Sequence, residues 1–231
     1  MSARFCFIAP LLVAQGIYCY PVFATDTVHH TKSWNRVGIS GSFGEDKRIL
    51  YNVEPNLRFI DLSNKYEFAY IEASIGNQLF PSVALWFGTE CGALPDSGDG
   101  LNYAISLWQQ ISWTIFSNDN ATLSDRTRIE ELYRESQSGI ALRLRQKFEL
   151  LLPLDDEKKY SILLNDEIFF NVNHPPWMSN TLVDQNRCLV ALRTRLNKSI
   201  FFDIGYMNQY QYNSTNQQSN ILSLSLGIKN S

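Results

Sequence analysis

The feature that most constrains this chain is an alternation of apolar and polar residues at every second position, repeated in run after run from about residue 48 to residue 229. Successive side chains of a strand point to opposite faces, so a period of two describes strands with one apolar and one polar side. Between Ile140 and Leu150, one face takes Ile140, Leu142, Leu144, Phe148 and Leu150, and the other takes Arg143, Arg145, Lys147 and Glu149. Tyr160, Ile162, Leu164, Ile168 and Phe170 oppose Asn165, Glu167 and Asn171 in the same way. Cys188, Val190, Leu192 and Leu196 oppose Arg187, Arg193 and Arg195, and Leu222, Leu224, Leu226 and Ile228 alternate with Ser223, Ser225 and Gly227.

Soluble sandwiches and lipocalin-like barrels alternate as well and form the competing architecture. Run length separates the two. Strands of soluble proteins cluster near 5 to 6 residues, whereas membrane-crossing strands need about 9 to 11, and runs such as Leu101 to Phe116 are longer still. Aromatics gather near run ends, among them Tyr51, Phe80, Phe116, Tyr160, Phe201 and Tyr212, as in the girdles of membrane barrels. The expected fold is therefore all-β, an antiparallel up-and-down transmembrane β-barrel of about ten strands, with twelve as the alternative. Strands are expected near 48–60, 66–78, 82–93, 101–117, 121–136, 138–153, 158–171, 182–196, 199–213 and 217–229. With the C-terminal end in the periplasm, the longer connections 93–100, 173–184 and 212–218 fall outside and the tighter 153–158 and 196–198 inside. On this registration residues 25–47 form an N-terminal segment whose short strand, 34–42, stays outside the wall or plugs the lumen. The barrel domain is then 48–231.

The first residues give the compartment. Arg4, a mostly apolar stretch from Phe5 to Ala14, and small residues at the end of Val22-Phe23-Ala24 describe a secretory signal peptide, 1–24, cleaved after Ala24. Bulky Tyr18 before Cys19 argues against lipidation. Cys91 and Cys188 remain, both on the apolar parity of non-neighbouring strands, too far apart for a disulfide. The expected location is the outer membrane of a Gram-negative bacterium. A net charge of -3 gives no footprint for nucleic acid. A mean hydropathy of -0.19, without a second long uncharged apolar run, excludes a bundle of membrane helices, each of which needs about 20 apolar residues.

Six segments, in order, carry a resemblance. They are Leu107-Trp108-Gln109-Gln110 with Ser112-Trp113, then Ser124 to Glu130 (Ser-Asp-Arg-Thr-Arg-Ile-Glu), then Leu142-Arg143-Leu144-Arg145-Gln146. Asp166-Glu167-Ile168-Phe169-Phe170-Asn171, Asp184-Gln185-Asn186-Arg187 and Gly205 to Tyr210 complete the set. From Trp34 to about Ile228 the chain resembles the bacterial family known as domain of unknown function 2490, whose members look like outer-membrane β-barrels. The resemblance implies fold and location; the family carries no activity to transfer.

If the apolar parity faces lipid, the other parity turns Glu54, Arg58, Glu72, Glu90, Arg134, Lys147, Glu149 and Asp203 inward. It also turns in a candidate charge network of Arg126, Arg128, Glu130, Arg143, Arg145, Glu167, Arg187, Arg193, Arg195 and Gln209, joined by Gln110, Asn165 and Asn186. An arginine in hydrocarbon costs about 2 to 4 kcal/mol, and ten strands enclose little more than the space side chains fill, so these charges are expected to pair. Two roles follow, a salt-bridged plug that is structural, or a basic stripe that binds or passes a small anion. A hydrolase acting on lipid is the alternative from another class, but its only base outside the N-terminal segment is His174, in a loop without an obvious nucleophile or acid beside it. Asp155-Asp156-Glu157 lacks the alternating oxygen spacing of a calcium loop. The expectation is a monomer without cofactor or metal, more a barrel than an enzyme, whose partners are outer-membrane lipid and the barrel-assembly machinery.

Overall fold

The computed structural model describes residues 27–95, 100–213 and 215–230; the expected signal peptide lies outside them. The chain forms eleven strands: β1 (Val28–Phe43), β2 (Ile49–Ile60), β3 (Lys65–Phe80), β4 (Val83–Pro95), β5 (Leu101–Ser117), β6 (Thr122–Arg134), β7 (Ala141–Pro153), β8 (Tyr160–Asn171), β9 (Val183–Arg195), β10 (Ile200–Gln211) and β11 (Gln217–Asn230). They close into one barrel in which each strand pairs with its sequence neighbours and β1 pairs with β11. Strand lengths of 12 to 17 residues match the long runs read from the sequence.

Two expectations need correction. The strand count is eleven rather than ten or twelve, and the barrel is mixed: β1 runs parallel to β11, from Val28 opposite Gln217 to Gly41 opposite Asn230. The second fact follows from the first, since an odd number of strands joined by antiparallel steps leaves the first and last pointing the same way. The additional strand is β1, so residues 34–42 are a section of wall, neither a short outlying strand nor a plug. Alternation is faint there because Ser33 and Asn35 give the first half of β1 a polar outward face, opposite inward Lys32, Trp34 and Arg36.

The connections at one end are 44–48, 81–82, 118–121, 154–159 and 196–199; at the other they are 61–64, 96–100, 135–140, 172–182 and 212–216, which includes the longest. Gly44 and Gly139, at φ 85° and 87°, take backbone conformations in these turns that a side chain would strain. Asn197 closes β9 to β10 by accepting the backbone N–H of Ser199 (2.8 Å) and Ile200 (2.9 Å).

The sorting of side chains is inside out relative to a soluble domain. Leu107, Ile75, Phe87 and Val190 point outward and are 54–56% exposed. Even-numbered positions of β1–β6 and odd-numbered positions of β7–β11 point inward, apart from Glu67 and Asp184, which reach the interior where the register shifts, and among the inward residues Arg128 and Glu130 are each 2% exposed. The buried apolar cluster is small, with Leu163, Leu189 and Ala191 packed against Leu151 and Met207 on one side of the interior. The outer wall also carries a polar seam: Gln146 bonds Asp125 and, at 2.7 Å, Thr127, while Asn186 and the Cys188 thiol both donate to Asp166. Asn186, expected inside, therefore faces outward.

Candidate functional site

The barrel interior is one cavity of about 1140 Å³ whose lining runs from Tyr133, Trp177 and Gln217 near the long-loop end to Ser42, Tyr51 and Asn230 at the other. Its middle is crossed by a belt of ion pairs. Arg128 grips Glu72 with two bonds (2.8 and 3.1 Å), donates Nε to Gln110 (2.9 Å) and lies 3.6 Å above the Trp108 ring. Because Glu72 is on β3 and Arg128 on β6, this pair cuts a chord across the lumen above β4 and β5. Glu130 accepts from Arg143 (2.8 and 3.0 Å) and Arg145 (2.6 Å). Glu167 accepts from Arg145 (2.7 and 2.9 Å) and from Arg126. Arg143 also reaches Asp184 at 3.5 Å. Charges so buried need such partners, since one left alone costs several kcal/mol.

The other expected network residues lie outside this belt. Arg193 forms its own bidentate pair with Asp203 (2.8 and 2.8 Å). Gln209 donates to Gln185. Arg195 sits exposed at the end of β9 and joins no ion pair among the described residues. Arg187 lines the cavity and joins none either, lying instead 4.9 Å from the centre of the Trp34 ring and 4.5 Å from that of Phe169. His174, the one candidate base, spends Nδ1 on the backbone carbonyl of Ser179 (2.9 Å).

Reasoning from the sequence missed the contribution of β1. Lys32 pairs with Glu67 at 2.5 Å, Arg36 reaches Glu54 at 3.8 Å, and Trp34 supplies an aromatic face to two arginines. The signal was present in the Lys32, Trp34, Arg36 alternation, but the polar outward residues between them, Ser33 and Asn35, hid it.

Counting charges gives the lumen a sign opposite to the whole chain. Twelve Lys and Arg side chains line the cavity against seven carboxylates, or nine with Glu130 and Asp203 included, although the chain carries -3. Eight of the twelve cations sit in ion pairs. The remaining four, Arg58, Arg134, Arg187 and Lys229, have no ion pair among the described residues, and each lies over an aromatic ring.

Comparison with known proteins adds relatives but no activity. An uncharacterized protein of Methylorubrum extorquens is 22% identical over 211 residues, covering 89% of this chain and 90% of its own. A solved structure of the NanC porin aligns with 78% of this chain and 86% of its own at 10% identity, with a TM-score of 0.49. The model of the family described as "Protein of unknown function (DUF2490)" matches residues 31–220, most of the barrel, and the chain belongs to that family.

Proposed function

We propose that this protein is exported by its N-terminal signal peptide to the outer membrane of a Gram-negative bacterium, where it is a barrel that passes small anions through a narrow lumen. Membrane placement is supported by the inverted sorting of side chains: a charged interior, an apolar exterior and strands long enough to cross hydrocarbon.

The observation that carries anion passage is the set of four cations held by aromatic faces. Arg134 over Trp177 (5.1 Å) stands at the long-loop mouth, Arg58 and Arg187 over Trp34 stand further in, with Arg187 in register with the belt carboxylate Glu167, and Lys229 over Phe201 (5.9 Å) stands at the opposite mouth. A carboxylate partner cancels a cation's charge. An aromatic face only steadies it, at about 0.5–2 kcal/mol, and leaves the charge open to a passing anion. Cations at successive heights, with binding neither absent nor trapped by one deep site, suit conduction.

The test is a planar-bilayer recording across a potassium chloride gradient. The reversal potential is expected on the anion side and is expected to move toward the cation side in Arg134→Glu/Lys229→Glu, a variant that leaves the belt intact. Absence of conductance at every voltage would mean that the Arg128–Glu72 chord closes the lumen. A protein that stays in solution without detergent would remove the membrane assignment.

A further inference from the structure

We infer that Arg58, Arg187, Trp34 and Tyr70 form a binding site in the lumen for one small oxoanion, a carboxylate or phosphate, so that passage is saturable rather than freely diffusive. The assignment rests on the lumen being accessible to solute, as proposed above, and it goes further by naming a site and a ligand class.

The four side chains come from four strands, two guanidinium groups meeting the Trp34 indole and Tyr70 joining them through Arg58. Trp34 on β1 faces Arg58 on β2 in register, and the guanidinium carbon of Arg58 lies 3.9 Å from the Trp34 ring centre. Arg187 reaches the same ring from β9, on the far side of β11 and β10. Tyr70 on β3 accepts a 2.7 Å bond from Arg58 Nη2.

What marks this cradle is that three unmet donors belong to one indole and to the two cations against it, neither with an ion pair among the described residues, whereas the unmet Arg126 Nε and Trp108 Nε1 of the belt lie with paired arginines. Arg58 Nε, Arg187 Nε and Trp34 Nε1 are each buried without a partner among the described residues, and the Tyr70 hydroxyl keeps its own proton to give. Buried donors are nearly always satisfied, and leaving one unmade costs its full desolvation. All of these groups are donors. The ligand they describe therefore offers acceptors only, which excludes a neutral polyol, whose hydroxyls would need acceptors in return. Water would meet the donors one at a time but bring no charge to two guanidinium groups that have no ion-pair partner among the described residues. An oxoanion does both, because the planar guanidinium fork matches two oxygens of a carboxylate or phosphate, a geometry that chloride lacks. Glu90 on β4 lines the same cavity and makes no ion pair among the described residues, so it is the carboxylate that opposes an entering anion.

The experiment uses the full barrel folded in detergent micelles and titrates it by calorimetry with sodium phosphate and, separately, sodium acetate at constant ionic strength, with sodium chloride as reference. Saturable binding of phosphate or acetate is expected, and the tighter of the two names the anion. Arg58→Lys and Arg187→Lys keep the charge but remove the fork and are expected to weaken binding by roughly tenfold or more. Arg134→Lys, at the mouth, should change it less than about twofold. Glu90→Gln should tighten binding, a gain that a misfolded barrel would not produce. Non-saturable heats with both oxoanions, or equal losses in Arg58→Lys and Arg134→Lys, would overturn the site. The failures are separable. Chloride conductance without saturable oxoanion binding leaves passage standing and removes the site, whereas binding without conductance does the reverse.

Discussion

The belt on β6–β8 and the Trp34 cradle use the same residue, arginine, in the same lumen and to opposite ends. In the belt, Arg126, Arg128, Arg143 and Arg145 meet Glu72, Glu130, Glu167 and Asp184, so that four guanidinium groups face four carboxylates. In the cradle, Arg58 and Arg187 meet aromatic rings, which fix their position without neutralising them. The difference shows how a protein with little apolar core can divide its interior. Ion pairs tie together strands up to three apart where a soluble domain would use packed hydrocarbon, and aromatic faces hold guanidinium groups without neutralising them, which is where the proposed ligand would be met.

The largest expected effect tests the belt. Glu130→Ala leaves Arg143 and Arg145 short of a carboxylate in a site where Glu130 is 2% exposed, and breaking a buried pair by removing one partner costs about 3–5 kcal/mol. Arg58→Gln breaks no ion pair and should cost about 1 kcal/mol or less. Denaturant unfolding of the barrel in lipid or detergent compares the two, and equal costs would dissolve the distinction between belt and cradle.

A smaller effect sharpens it. Inward Gly88 packs so closely on Trp108 that an added Cβ would stand 2.2 Å from the ring carbon Cζ2. The ring is 3% exposed and lies under Arg128. Gly88→Ala therefore pushes on the belt through its aromatic floor, and overpacking of this kind costs about 1–3 kcal/mol. Gly38→Ala is the control, because its Cβ would meet Glu54 at an ordinary 3.7 Å. Loss of stability in the first variant and none in the second, by the same unfolding assay, is the expected outcome.

The outline of this architecture was legible in the sequence wherever one face of a strand was consistently apolar. The boundaries of β2 through β11 fall close to the runs read from alternation, since 48–60 against Ile49–Ile60 and 217–229 against Gln217–Asn230 differ by a residue or so at each end. Arg126, Arg128, Arg143, Arg145 and Glu167 line the cavity and Glu130 pairs with them, all on the inward parity. What parity could not give was pairing. Nothing local says that Arg128 reaches across β4 and β5 to Glu72, or that Arg187 stacks on a tryptophan over 150 positions away in sequence. Strand β1 escaped because Ser33 and Asn35 blur its outward face, and with it went Trp34, on which the cradle depends. The polar outward positions Asp125, Asp166 and Asn186 were hidden for the converse reason, since Asp166 and Asn186 interrupt mostly apolar faces and Asp125 shares its face with Thr127 and Glu131 beside Leu123, Ile129 and Tyr133.

The smallest effect lies outside both regions, at the end of the barrel where the belt's strand β7 turns into β8. Asp155 accepts the backbone N–H groups of Lys159 (2.9 Å) and Tyr160 (2.7 Å). These bonds favour its charged form and hold its carboxyl below the ordinary aspartate range. A neighbouring contact, Lys158 to Asp119 at 2.8 Å, ties this turn to the one between β5 and β6 and lowers the Asp119 carboxyl in the same sense. With the folded pKa below the unfolded one, the contribution is present at pH values above the ordinary carboxylate pKa, about 4, and is lost as pH falls through the lower folded value. Asp155→Asn cannot ionise and offers one acceptor oxygen to two donors, so it should unfold slightly more readily at neutral pH and lose less than the parent as pH falls below about 4. The belt carboxylates titrate in both proteins, so the informative quantity is the difference between the two unfolding profiles. A constant offset down to pH 2 would show that the turn is held by its shape alone, and that charge in this barrel matters only inside the lumen.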